Sequence, residues 1–447
     1  MKQWLKPMCV VVAILAVAGA RAGADLDSYL KRPEPAYKWE KIDEKSADGC
    51  KVYDLKMVSQ VWHGITWEHH VEIFKPDNLK HPEFCAIYNR GGSGSFTNSD
   101  PMGVTLAKST GCIFCIMWNN PKQPLYGGLS EDSLIVYTWR HFVASGDETW
   151  PLHFPMAKAV LKTIDTVQAF AKSEKWKPVT GFLVCGASKR GWTTWLTGAS
   201  RDPRIKAIAP MVIDILNLPV QMKHMFDVYK APTAEIADYV IGGIPKMLAG
   251  PNGHRLVELE DPYSYRDRFT LPKLIILGTN DPYWTQDALN VYWDGIPSPK
   301  WITYTPNSGH GLDDHQHVYA TLSAFISKTA SHSSWPKLSW RYKPTANGVD
   351  LVLTSDVPMK SARLMECHSG TTDFRDQKWT SEPMQGKGKT YSIHFDAPAD
   401  GNEAVTGEAE FDFHGYDFTL SSQMYVLGKD ASVFIKPGEA PAPPAAP

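Results

Sequence analysis

A short apolar run, 179–185, ends in Gly186-Ala187-Ser188-Lys189-Arg190-Gly191, and a helical pattern begins at once. A strand that is apolar at successive positions is buried on both faces, and a direct hand-over to a helix places it in a parallel sheet covered by helices. The same rhythm recurs. Short apolar runs bounded by turn residues lie at Phe84–Tyr88, Gly111–Trp118, 204–212, 273–280 and 301–306. Helical stretches are predicted near 130–145 and 155–174. In the second, Met156, Val160, Ile164, Val167 and Phe170 recur every three or four residues and give one apolar face. Residues 50–63 and 66–76 read as an antiparallel pair turned at His63-Gly64. The expectation is an α/β unit over 25–334 with a mostly parallel sheet flanked by helices.

Residues 213–270 break this rhythm. They are rich in Met, Tyr, Pro and Gly, and fit either a lid inserted over a site or a surface excursion. After Trp335-Pro336 the helical period disappears. Val349–Leu353, Tyr391–Phe395 and Glu410–Phe413 alternate with period two, which predicts a small β-sandwich over 335–436. Residues 437–447, rich in Pro and Ala, read as a disordered tail.

Three strand ends carry chemistry. Ser188 stands where an apolar strand turns sharply into a helix, the arrangement that exposes a serine hydroxyl as a nucleophile. Arg190 occupies the place of the second glycine of a G-x-S-x-G motif, and Gly191 comes one residue later. Asp281 ends the run Lys273–Gly278 within Gly278-Thr279-Asn280-Asp281-Pro282, and His310 follows 301–306 between Gly309 and Gly311. The chain order Ser, Asp, His, each after a strand, is that of the α/β-hydrolase fold. In that arrangement His310 takes the Ser188 proton, and Asp281 fixes the imidazole tautomer and stabilises its charged form. Asp214, after 204–212, is the alternative acid. The N–H groups of Lys189 and of Gly91 and Gly92, in Asn89-Arg90-Gly91-Gly92-Ser93-Gly94, are the candidate oxyanion donors. Arg190 faces either a negatively charged substrate or a structural carboxylate partner.

The strings Pro155-Met156-Ala157-Lys158-Ala159, Gly186-Ala187-Ser188-Lys189-Arg190-Gly191-Trp192-Thr193-Thr194-Trp195, Pro210-Met211-Val212-Ile213-Asp214-Ile215-Leu216-Asn217 and Gly278-Thr279-Asn280-Asp281-Pro282-Tyr283-Trp284 resemble the PhoPQ-activated pathogenicity-related (PqaA-type) family. Asp373-Phe374-Arg375 with Trp379 adds weaker support. The resemblance implies an α/β-hydrolase unit followed by a β-rich unit in an exported protein. It also makes Arg190 a family trait. The family includes members named autocrine proliferation repressors, and the resemblance supplies no substrate.

Residues 1–24 read as a signal peptide: Lys2 and Lys6 precede the apolar run Met8–Gly19, and Ala22-Gly23-Ala24 offers small residues for cleavage. The run is too short for a membrane anchor, so a secreted or periplasmic protein without a membrane span is expected. Loss of the leader with Lys2, Lys6 and Arg21 moves the formal net charge from −2 to −5. With no basic stripe, nucleic acid is not an expected partner. Cys112-Ile113-Phe114-Cys115 has metal or redox spacing but no second pair, and it lies in an apolar run where cysteine serves as a small core residue. In His310-Gly311-Leu312-Asp313-Asp314-His315-Gln316-His317 an aspartate is expected to cap the last helix. His69 and His70 alternate across a strand and are not a ligand pair. No cofactor and no metal are expected. The reading is a serine hydrolase acting on a small-molecule, peptide or carbohydrate ester through an acyl-enzyme. The alternative is a non-catalytic secreted binding or signalling protein on the same scaffold. Oligomeric state and disulfide pattern are left open.

Overall fold

A computed structural model describes residues 25–413 and 416–441; the expected leader and the tail from residue 442 lie outside the described residues. The central sheet is built from β1 (Lys38–Ala47), β2 (Cys50–Trp62), β3 (Ile65–Pro76), β4 (His81–Asn89), β5 (Cys112–Met117), β6 (Gly181–Ala187), β7 (Ile205–Met211), β8 (Lys273–Gly278) and β9 (Lys300–Thr305). Its order is β1-β2-β3-β5-β4-β6-β7-β8-β9. The first strands pair antiparallel, and from β5 to β9 every neighbour is parallel. The two-residue turn at His63-Gly64 has positive φ at both positions, as a tight hairpin requires.

Side chains of the parallel strands divide by parity between two cores. Ile113, Cys115, Met117, Phe182, Val184, Ile275 and Leu277 face one; Cys112, Phe114, Ile116, Leu183, Cys185, Leu274 and Ile276 face the other. This is why those strands read as unbroken apolar runs. It also places Cys112 and Cys115 on opposite faces of the sheet, and all six described cysteines are free and buried.

Among the described residues the α-helices are α1 (Leu26–Lys31), α2 (Pro101–Thr110), α3 (Glu131–Ser145), α4 (His153–Ser173), α5 (Lys189–Ala199), α6 (Leu218–Tyr229), α7 (Ala237–Ile241), α8 (Ile244–Met247), α9 (Pro251–Glu260) and α10 (His315–Ala330). Met156, Val160, Ile164, Val167 and Phe170 of α4, with Trp195 and Leu196 of α5, fill the first core; Leu106 of α2 and Leu322 and Phe325 of α10 fill the second. This is the α/β-hydrolase fold. The segment 213–270 folds into α6–α9. None of these helices is long and apolar enough to cross a membrane.

The C-terminal strands are β10 (Leu338–Pro344), β11 (Gly348–Ser355), β12 (Ser361–Ser369), β13 (Thr380–Pro383), β14 (Gln385–Lys387), β15 (Thr390–Asp396), β16 (Asn402–Phe413), β17 (Tyr416–Ser421) and β18 (Tyr425–Gly428). They form two antiparallel sheets, ordered β10-β11-β15-β14 and β13-β12-β16-β17, with β18 on β16. Gly407 of β16 lies where a Cβ would come 2.9 Å from Leu351 of β11, so the absent side chain lets the sheets approach. Trp335 joins this part to the second core, with its ring 4.6 Å from Phe418 and 5.2 Å from Phe325.

Candidate active site

Ser188 lies between β6 and α5 at φ 59° and ψ −131°, a backbone conformation that non-glycine residues rarely adopt. Its N–H donates to Met211 O at 2.9 Å, and its own carbonyl accepts from Trp192 N–H at 3.0 Å. The surrounding backbone therefore fixes the turn and sustains a strain of about 1–3 kcal/mol. Two glycines make the turn possible. A Cβ on Gly186 would lie 2.9 Å from the carbonyl oxygens of Asn89 and Arg190, and one on Gly191 would lie 2.6 Å from Met211 O. The close approach thus falls at Gly191, and position 190 is free to carry a large side chain.

That side chain settles one open reading. The Arg190 guanidinium packs where a Cβ on Gly91 would sit, 2.1 Å from Nη2. Its Nε donates to Asn120 O at 2.7 Å, and its fork grips Glu131 at 2.6 and 2.7 Å. Arg190 is buried and is a structural partner of Glu131; it does not line the cavity that Ser188 lines. Lys189 Nζ lies 2.8 Å from Glu131 and 3.4 Å from Asp132. Burial alone would raise the Glu131 carboxyl, but the two cations hold it well below the ordinary carboxylate range. Gly91 is thus required by Arg190. Gly92, at φ 73°, has its carbonyl held by Asn119 N–H at 2.6 Å.

Asp281 and His310 meet across the ends of β8 and β9. His310 Nδ1 lies 2.8 Å from Asp281 Oδ2, and Asp281 Oδ1 accepts from Tyr283 N–H at 3.0 Å. The two loops are joined by Asn280 N–H to Ser308 O at 2.9 Å and by Asn307 N–H to Thr279 Oγ1 at 2.8 Å. Gly278 lets them close, since a Cβ there would lie 2.4 Å from Ser308 O. The Tyr283 ring leans on the imidazole at 4.3 Å. His310 Nε2 is buried without a hydrogen-bond partner among the described residues, and Ser188, Lys189 and His310 line one cavity of about 650 Å3. An imidazole with one nitrogen held by a carboxylate and the other unpartnered, in a cavity that a serine also lines, is suited to take a hydroxyl proton. Such serine–histidine bonds often close only around substrate.

Asp214, the alternative acid, is not the partner of His310. It is fully enclosed, with Oδ1 unpartnered among the described residues, and burial followed by the charges of Asp281 and Asp287 pushes its carboxyl up to about 8. Asp314 caps α10 by accepting from His317 N–H at 3.1 Å. His317 turns to Thr419 Oγ1 at 3.1 Å, well away from a metal arrangement with His310. His69 and His70 point to opposite sides: His69 bonds Ser59 at 2.9 Å, and His70 bonds Asp54 at 2.7 Å.

Several buried polar groups were not foreseen. Asp54, His70 and Glu72 bring one ligand-type atom each within 4.8 Å of one another. Lys45 already neutralises Asp54 at 2.6 Å, and Trp118 Nε1 donates to Glu72 at 2.7 Å. Their pairing follows from strand register, with Asp54 opposite Glu72, and could have been read only once β2 and β3 were aligned. His153 pairs with Glu260, both fully buried, tying α4 to α9 beneath Trp192. No local motif marks these two residues, which are far apart in the chain.

The family model described as PhoPQ-activated pathogenicity-related protein matches residues 26–375. Autocrine proliferation repressor protein A of Dictyostelium discoideum is 30% identical over 364 residues, covering 77% of this chain and 73% of that protein. Among solved structures, acetyl xylan esterase 1 from Thermoanaerobacterium sp. is similar at a TM-score of 0.47 and 17% identity, over 69% of this chain and 94% of that one. The S-formylglutathione hydrolase from Agrobacterium tumefaciens has a TM-score of 0.42 and 14% identity, over 66% of this chain and 96% of that one.

Proposed function

Starting from the fact that this chain belongs to the PhoPQ-activated pathogenicity-related family, we propose that it is an exported serine hydrolase that cleaves an ester or peptide-like bond. One observation carries this reading. His310 holds Asp281 through Nδ1, its Nε2 has no partner among the described residues, and it lines the same cavity as Ser188, which stands on a strained strand-to-helix turn. Ser188 Oγ attacks the carbonyl carbon while His310 Nε2 takes its proton. The oxyanion is received by the Lys189 N–H, at the first position of α5 where helix N–H groups lack partners. His310 then returns the proton to the leaving group, and a water repeats the sequence on the acyl-enzyme. Asp281 keeps the imidazole oriented throughout. No cofactor enters this chemistry.

The relative named as an autocrine proliferation repressor favours a second reading, a secreted signalling protein that uses the scaffold without catalysis. A fluorophosphonate probe on the purified protein separates the two. Labelling mapped to Ser188 and lost in Ser188→Ala is expected; labelling that persisted unchanged in Ser188→Ala would end the catalytic assignment.

A further inference from the structure

We infer that the cavity over Ser188 selects esters with an apolar group, alkyl or aryl, much larger than acetyl. The inference rests on the hydrolase reading and names its substrate class.

Size is the first argument. The cavity encloses about 650 Å3, whereas a water's share of liquid is about 30 Å3. An acetyl group would leave most of it unfilled, while a drug-sized apolar group fits a site of this volume.

The second argument is the state of the charged and polar groups beside Ser188, which are engaged by neighbouring groups of the protein. Asp132 accepts from Tyr239 OH at 3.0 Å and lies 3.4 Å from Lys189 Nζ. Asp261 accepts the N–H groups of Leu218 at 2.7 Å and Tyr263 at 2.9 Å. Trp192 Nε1 donates to Glu260 O at 2.6 Å. The charges beside Ser188 balance as well, since Lys189 and Arg190 face Glu131 and Asp132. A sugar or a charged group entering here would give up more hydrogen bonds to water than the few open partners in the wall return. What remains is apolar surface from Trp139, Ile213, Leu218, Met222 and Leu248. Among the buried side-chain atoms of the lining residues, Asn217 Nδ2 and Trp284 Nε1 are donors without a partner among the described residues, and they suit an ester oxygen.

The third argument is where this surface comes from. Most of the wall belongs to 213–266, the helices laid over the strand ends, and Phe226, at 41% exposure, both lines the cavity and reaches solvent. An exposed phenylalanine at the wall marks an apolar mouth.

The test is a series of p-nitrophenyl esters from acetate to octanoate, with phenylacetate and succinate, beside acetates of alcohols of rising length. Ser188 labelling by a small fluorophosphonate is followed in parallel. We expect kcat/KM to rise about three- to fourfold per methylene, the worth of about 0.8 kcal/mol of apolar transfer, until the cavity is filled. The succinate should be poor. A rise along the acyl series places the apolar group on the acid, and a rise along the alcohol series places it on the leaving group. Met222→Trp and Leu248→Trp, which fill the cavity from half-buried wall positions, should each lower the octanoate-to-acetate ratio at least tenfold. If Ser188 is labelled but the ratio stays flat along both series, the cavity does not select apolar groups and the hydrolase reading stands alone. If Ser188 is not labelled and no ester turns over, both readings fall.

Discussion

Asp214 and Asp281 follow adjacent parallel strands, yet their surroundings give them different chemistry. Asp281 has both oxygens engaged, one by His310 and one by the Tyr283 N–H. Asp214 is sealed in, and burial, then Asp281 and Asp287, raise its carboxyl to about 8 against an ordinary value near 4. Between about pH 4 and 8 the unfolded chain releases that proton while the folded protein keeps it, so this group's contribution to stability is lost as pH rises through the window. Asp214→Asn should therefore retain turnover and shrink the fall in melting temperature between pH 5 and pH 8. Asp281→Asn, by misorienting the His310 tautomer, should cost roughly 10³–10⁴-fold in kcat on any ester the protein accepts. Steady-state rates and melting curves of the two variants check this, and a collapse confined to Asp214→Asn would reverse the assignment. The contrast was half legible. The two strand ends named both aspartates as candidates, but the raised carboxyl of one depends on its burial and on the charge of Asp287, far away in the chain.

Elements were legible where burial writes a period into the sequence. The strands at β4 to β9 show as unbroken apolar runs because both faces are covered, and α4 shows because it is covered on one. β1 was missed because it is a charged edge strand, mostly exposed, and carries no alternation. The helices α6, α8 and α9 do not show in the sequence, where 213–270 only breaks the rhythm, for a physical reason. Their prolines, Pro219, Pro245 and Pro251, stand in the first helical positions, where the missing N–H costs nothing, so residues that look like breakers are starts. The turn into α5 tells a similar story about Arg190, which departs from the usual glycine because the tight approach has moved to Gly191. Gly191→Ala should consequently destabilise the protein by about 1–3 kcal/mol, the cost of overpacking a close-fitted turn. Denaturant unfolding measures it, and an unchanged midpoint would show that the Met211 carbonyl can yield.

At the scale of the molecule the C-terminal strands are built into the site's support. Asn280, next to Asp281, donates through Nδ2 to the carbonyls of Arg375 at 3.0 Å and Gln377 at 2.7 Å. Asn307, on the loop leading to His310, exchanges two hydrogen bonds with the Trp379 backbone at 2.8 and 3.1 Å. The Asp373-Phe374-Arg375 stretch, a weak motif in the sequence, thus braces the acid loop through its backbone, which a sequence pattern does not display. Arg375 also stacks on Tyr229 of α6 at 4.3 Å. Asn280→Ala should lower kcat about tenfold with little change in KM, because it loosens a positioning residue and leaves the cavity wall intact. Equal losses in stability and kcat, restored together by a stabilising additive, would reduce Asn280 to a structural role.

This bracing also sets an order of events at the ribosome. Residues 375–379 are made after Ser188, Asp281 and His310, and translation from His310 to Trp379 takes roughly 3–14 s at about 5–20 residues per second. For that interval the nascent chain holds its acid and histidine loops without the asparagine clamps. The two loops gain their support only after every residue they carry has been made.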